Sequence, residues 1–226
     1  MNSGTHARRL ALATAAALGT MAGTAQAATP INTQGGTSGL WGGTEIFIGD
    51  WGTCTTGFAI QNGGGKFMVT AGHCANAGTR VRAVRAGGVI QGELGQLIGV
   101  NNGGTGNDFA AYGNGAVRGF QNASGFQMKV TGWVAPAGAQ GGRACYNGAT
   151  TGYTCGVIAG VFGDRFCLAG APNPAIAGDS GSAVYTEPSN GEVRIIGIIN
   201  DAASCGTSVT RILDAYQASL VTECSL

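Results

Sequence analysis

Apolar residues along this chain fall in short runs, and within several runs they alternate with polar ones. Phe58 and Ile60, then Phe67, Val69 and Ala71, recur at every second residue, the period of a strand buried on one face. Gly63-Gly64-Gly65 separates the two runs and predicts a hairpin. Residues 81–85 mix apolar and basic side chains, as a half-buried strand does, and 128–134, 153–162 and 193–200 predict further strands. Residues 182–186 and 193–199 flank Pro188-Ser189-Asn190-Gly191, a second hairpin signal. Only the C-terminus has helical spacing. Val209, Ile212, Leu213, Tyr216, Leu220 and Val221 follow a 3.6-residue period, which predicts a helix over about 209–222 with Ser208 as its cap.

Composition sharpens this all-β picture. Glycine supplies 43 of 226 residues, and charged residues are only 10% against 44% hydrophobic. That balance buries a core and excludes a disordered chain. High glycine with few helix formers favours many short strands and tight turns, arranged as barrels or a sandwich. A break near residues 119–127 divides the strands into two roughly equal halves. The net charge of +1 leaves no basic surplus for a phosphate backbone, so nucleic acid is not an expected partner.

Arg8 and Arg9 precede an apolar run that ends near Met21, and Ala25-Gln26-Ala27 has the small-x-small pattern of a signal peptidase site. Residues 1–27 therefore read as a secretion signal and 28–40 as a flexible lead-in. No later stretch is long and apolar enough for a membrane span, so no membrane contact is expected after cleavage. Residues 28–40 are too few to pack a domain of their own, and the oxidised chain from Ala28 onward is expected to refold unaided. Cleavage also removes His6, so imidazole chemistry near neutral pH falls to His73 alone. With one histidine and no Cys-x-x-Cys, neither a metal nor another cofactor is expected. In an exported chain the seven cysteines read as disulfides, with one left over.

Three motifs carry candidate chemistry. Thr70-Ala71-Gly72-His73-Cys74 ends a strand with a histidine, Asn107-Asp108-Phe109-Ala110 sets an aspartate before a small apolar run, and Gly178-Asp179-Ser180-Gly181-Ser182 places a serine on a tight turn between glycines. A serine hydroxyl is a weak nucleophile at neutral pH and needs an adjacent base. That base in turn needs a carboxylate to fix its tautomer and stabilise its charged form.

From about Trp41 onward the sequence resembles the chymotrypsin-like serine proteases, in their bacterial secreted branch of the streptogrisin and alpha-lytic type. The histidine and serine motifs carry this resemblance, with Cys145-Tyr146-Asn147-Gly148 and the following Thr150-Thr151-Gly152-Tyr153-Thr154-Cys155-Gly156. It implies two packed six-stranded antiparallel barrels, about 41–120 and 126–208, before the helix. It implies His73 as general base and acid, Asp108 as its orienting partner and Ser180 as nucleophile. Asp164, the other aspartate between His73 and Gly178, comes too late for the family's order. The resemblance also implies an oxyanion hole from the amides of Gly178 and Ser180. For disulfides it suggests Cys54 with Cys74, Cys145 with Cys155, and Cys167 with Cys205, leaving Cys224 as the odd thiol.

By matched position the substrate pocket would be lined by Pro174, Ala175 and Ile176, by Asn200, Asp201 and Ala202, and by Thr207 and Ser208. Most of these are small or apolar, which implies cleavage after small to medium apolar residues, while Asp201 leaves a basic preference open. Relatives often carry arginine where this chain has Tyr146. Asp179 is then expected to be held by a tyrosine hydroxyl, Arg143 or water. The expected protein is a secreted, monomeric serine endopeptidase acting on proteins or peptides. A catalytically dead relative and a glycine-rich β-module that binds extracellular polymers are the competing classes.

Overall fold

In the computed structural model the described residues are 40–222, other than 51, 64, 75, 85–89, 103–106, 114–116 and 122–126. The expected secretion signal, nearly all of the lead-in and Cys224 lie outside them. The strands are β1 (Leu40–Gly42), β2 (Glu45–Ile48), β3 (Gly52–Thr55), β4 (Ala59–Asn62), β5 (Gly65–Thr70), β6 (Arg80–Val84), β7 (Ile90–Asn102), β8 (Asp108–Gly113) and β9 (Val117–Gln121). There follow β10 (Gln127–Trp133), helix α1 (Pro136–Ala139), β11 (Arg143–Gly148), β12 (Gly152–Phe162), β13 (Arg165–Ala169), β14 (Ala183–Thr186), β15 (Glu192–Ile199), β16 (Cys205–Ser208), helix α2 (Val209–Tyr216) and β17 (Ser219–Leu220).

They form two sheets. The first runs β17-β4-β5-β8-β7-β6-β2-β3. In the second, β15-β14-β11-β12-β13-β16 closes into a six-stranded barrel because β16 pairs back onto β15. The strands β10, β9 and β1 extend that sheet from β15, and β1–β9 and β10–β15 are parallel pairs. Both predicted hairpins are present, as β4–β5 and β14–β15. The expected all-β, two-lobed architecture is present, with one lobe a closed six-stranded barrel and the other, among the described residues, an eight-stranded sheet.

Strand periodicity explains how one seam comes to lie under both lobes. Successive side chains on a strand point to opposite faces. On β5, Met68 enters the first-lobe core with Ile46, Ile48, Val81 and Leu97, while Val69 turns to the seam. On β15 the pairing with β14 shifts register opposite Ile196, which resets the alternation: Ile196 and Ile199 enter the second-lobe core with Tyr146, Ile158 and Phe166, while Ile195 and Ile198 turn to the seam. There they meet Phe58, Phe109 and Ile212, so the lobes share an apolar contact layer.

The C-terminal helix is shorter than its periodicity predicts and stops at Tyr216 instead of running to about 222. The Ser208 hydroxyl caps it by accepting the Arg211 N–H at 3.2 Å. Gln217 then takes a left-handed conformation, φ +47°, and ends it. Leu220 still packs on the seam, but as part of β17 paired opposite Ile60. An apolar residue can reach the same core from a helix or from a short strand, so its spacing alone overextended the helix.

Candidate active site

His73 sits in a single helical turn, Gly72–Cys74, directly after β5. Gly72 permits the approach of that turn to its neighbours: a Cβ there would lie 2.0 Å from the Asn101 carbonyl oxygen and 2.8 Å from the Phe109 nitrogen. The turn therefore rests on the start of β8, where Asp108 is the first residue. Both carboxylate oxygens of Asp108 go to the same partner. Oδ1 accepts the His73 main-chain N–H at 2.7 Å, and Oδ2 lies 2.7 Å from His73 Nδ1. Because Oδ2 of the carboxylate can only accept, the neutral imidazole carries its proton on Nδ1. Nε2 is then an acceptor, and it lies 2.9 Å from Ser180 Oγ.

The hydrogen bond that His73 donates to Asp108 raises the His73 pKa above its ordinary 6.5. Burial opposes the rise, and the charges of Asp108 and Asp201 add to it. The imidazole is 44% exposed and the carboxylate 18%, so the ring faces solvent while its partner is more enclosed.

Ser180 lies on a turn that two glycines make possible. Gly178 and Gly181 have φ +99° and +94°, a region that other L-residues rarely adopt. Space forbids a side chain as well. A Cβ would lie 2.2 Å from Thr150 Oγ1 at Gly178, and 2.2 Å from Thr70 Oγ1 at Gly181.

Asp179, between them, is fully buried. Its Oδ1 accepts the N–H groups of Thr150 and Thr151 at 2.9 and 3.0 Å, and its Oδ2 accepts the Ile176 N–H at 2.9 Å. Neither side chain expected to hold it does so. The Tyr146 hydroxyl donates to the Asn173 carbonyl at 3.0 Å, and Arg143 Nε pairs with Glu187 at 2.7 Å. Three amide dipoles converge on the carboxylate in place of a cation. Gly148 makes the cradle possible, since a Cβ there would lie 2.2 Å from Asp179 Oδ1.

The residues matched to a substrate pocket divide into two groups. Pro174, Ile176 and Ala202 are exposed, Ile176 by 51%. The other three are committed to the protein. Ala175 is buried in the second-lobe core, and its N–H donates to Ser204 Oγ at 2.9 Å. The Asn200 Nδ2 donates to the Asp108 carbonyl and to Thr207 Oγ1, each at 2.8 Å. Asp201 Oδ2 pairs with Arg165 at 3.0 Å, and its Oδ1 accepts the N–H groups of Ala203 and Cys205. Of the two hydroxyls matched to the pocket, Thr207 is spent on Asn200 and Ser208 on the helix cap.

All three expected disulfides are present. Cys54–Cys74 ties β3 to the His73 turn, Cys145–Cys155 crosses β11 and β12, and Cys167–Cys205 crosses β13 and β16. The sequence reading missed the residues that brace the serine turn, Thr55, Thr150 and Thr151. Isolated threonines in a glycine-rich chain carry no motif that could have singled them out.

No family model matches the chain. Streptogrisin-C of Streptomyces griseus is 28% identical over 197 residues, which cover 80% of this chain and 41% of that protein. The chain thus spans about two fifths of the length of that curated relative. Among solved structures, the Nocardiopsis protease superposes with a TM-score of 0.63 at 24% identity, over 82% of this chain and 100% of its own. The Cellulomonas bogoriensis chymotrypsin superposes with a TM-score of 0.60 at 25% identity, over 81% of this chain and 99% of its own. By sequence and by fold the chain is similar to the bacterial chymotrypsin-like serine proteases.

Proposed function

We propose that the chain is a secreted serine endopeptidase that acts on proteins or peptides as a monomer, with His73, Asp108 and Ser180 as its triad. The observation that carries this reading is the continuous line from Asp108 Oδ2 through His73 to Ser180 Oγ, with steps of 2.7 and 2.9 Å. His73 Nε2 takes the hydroxyl proton as Ser180 Oγ attacks the peptide carbonyl carbon. The charge that develops on the carbonyl oxygen is met by the amides of Gly178 and Ser180. The imidazolium, stabilised by Asp108, then protonates the leaving amine as the C–N bond breaks. Water, deprotonated by His73, releases the acyl group from Ser180 by the same steps in reverse.

The proposed preference is for small to medium apolar side chains before the cleaved bond. Pro174, Ile176 and Ala202 present apolar surface, and Asp201 is held by Arg165, so it is not a free anion awaiting a basic side chain. The test is treatment with an organophosphorus serine reagent, followed by peptide mapping and an assay on peptide amides. Ser180 should be the labelled residue, and Ser180→Ala should lower turnover by roughly 10⁴-fold or more with the fold intact. Absence of label on Ser180 in the folded chain, or near-normal turnover in Ser180→Ala, would overturn the reading.

A further inference from the structure

One hydroxyl joins the two lobes behind the serine turn. Thr55 is the last residue of β3, follows the disulfide-bonded Cys54 and is fully buried. Its N–H donates to the Ser180 carbonyl at 2.8 Å. Its Oγ1 lies 2.6 Å from the Gly178 carbonyl oxygen and 3.1 Å from the Ala149 nitrogen. The directions are fixed by the partners: the carbonyl can only accept and the amide can only donate. The hydroxyl proton therefore points to Gly178, and a lone pair receives Ala149. The Thr55 carbonyl accepts from Thr70 Oγ1 at 2.9 Å, three residues before His73, which locks β3 against the histidine strand.

Glycine gives this arrangement its significance. A glycine at φ +99° has no side chain to set the orientation of its flanking peptide groups. Hydrogen bonds must do it. The Gly178 carbonyl, in the peptide that follows, is held by Thr55. The peptide that precedes carries the Gly178 N–H, and its carbonyl, that of Ala177, accepts from Thr150 Oγ1 at 2.9 Å. Thr150 follows Ala149, whose N–H is bound to Thr55. The Thr55 hydroxyl therefore acts on both peptides, directly on one and through the 149–150 turn on the other.

We propose that Thr55 is a positioning residue of the catalytic site: its hydroxyl holds the Gly178 peptide groups, and so aims the amide offered to the oxyanion. Its kinetic consequence rests on the serine protease reading above; the geometric role does not. Removing the hydroxyl orphans a buried carbonyl and a half-buried N–H together, a change that size alone does not produce.

The experiment compares the wild-type full chain with Thr55→Val, which keeps the shape and loses the hydroxyl, and with Thr55→Ser, which keeps the hydroxyl. Two quantities are read: the rate of phosphonylation of Ser180, with its pH dependence, and hydrogen exchange at residues 149–151 and 177–181. Thr55→Val should be labelled at least about tenfold more slowly and should exchange at least about tenfold faster in both segments. The pH midpoint should stay put, because the His73–Asp108 pair is untouched. Thr55→Ser should remain within about threefold of wild type in both readings. A Thr55→Val chain within twofold of wild type in exchange and labelling would overturn the proposal, as would equal losses in the two variants. A wild-type chain that does not label at all would refute the protease reading instead, and the exchange comparison would still decide the role of Thr55.

Discussion

The Asn200 carboxamide reaches across the seam between the lobes and donates to the main-chain carbonyl of Asp108 at 2.8 Å, while its second N–H goes to Thr207 Oγ1 at 2.8 Å. Asn200 follows β15 of the second lobe and Asp108 begins β8 of the first, 92 residues apart. A side chain matched to a pocket wall thus braces the main chain of Asp108, whose carboxylate bonds His73. Arg211 supports the same corner from α2, with Nε donating to Asn107 Oδ1 at 2.6 Å.

Asn200→Ala should lower kcat on peptide amides by about tenfold, because the Asp108 carbonyl loses a half-buried donor that fixes its geometry. KM should change little if Asn200 acts through Asp108 instead of touching the substrate. Steady-state kinetics on a panel of peptides decide it. A large rise in KM with kcat unchanged would return Asn200 to the pocket wall.

Activity and the His73 contribution to stability should run in opposite directions with pH. In the proposed mechanism the base form of His73 accepts the serine proton, and the His73 pKa lies above the ordinary 6.5. The rate should therefore fall with decreasing pH around a midpoint above that of a free histidine. For stability the sign reverses. A group whose pKa is raised on folding binds its proton more tightly when folded. The stabilisation from the charged pair is fully present below 6.5 and is lost as pH rises through the folded value. Asp108→Asn removes the first cause of the raised pKa and should lower the midpoint of the residual activity. NMR titration of His73, with rate profiles of both chains, checks the sign. A midpoint at or below 6.5 in the wild type would contradict it.

Gly148→Ala should damage both the fold and the reaction. A Cβ there meets Asp179 Oδ1 at 2.2 Å and Thr151 Oγ1 at 2.9 Å, so the buried carboxylate must leave its three amides or the 149–151 turn must move. Overpacking of this kind costs about 1–3 kcal/mol. Because Asp179 sits between Gly178 and Ser180, turnover should fall by at least about tenfold in the fraction that folds. Gly132→Ala is the control, since a Cβ at Gly132 meets nothing within 4 Å. Thermal unfolding and active-site labelling of the two variants test this, and equal behaviour would remove the proposed role of the amide cradle.

What the sequence determined by itself was local. Gly178 and Gly181 mark a turn whose dihedral angles are open to glycine, and the serine between them is legible because that requirement concerns a few adjacent residues. The alternation on β5 and the hairpins β4–β5 and β14–β15 are legible for the same reason. The 13-residue strand β7 was not read, because Gly95 and Gly99, at φ +123° and +56°, interrupt its alternation. Tertiary structure alone decided which lone side chains matter. Asn200 meets Asp108 across 92 residues and Thr55 meets Gly178 across 123, whereas the resemblance had already implied Asp108 as the partner of His73. No local spacing encodes such contacts. They exist because two lobes close on one apolar seam and bring buried and half-buried donors and acceptors together, where an unpartnered group bears a cost of desolvation.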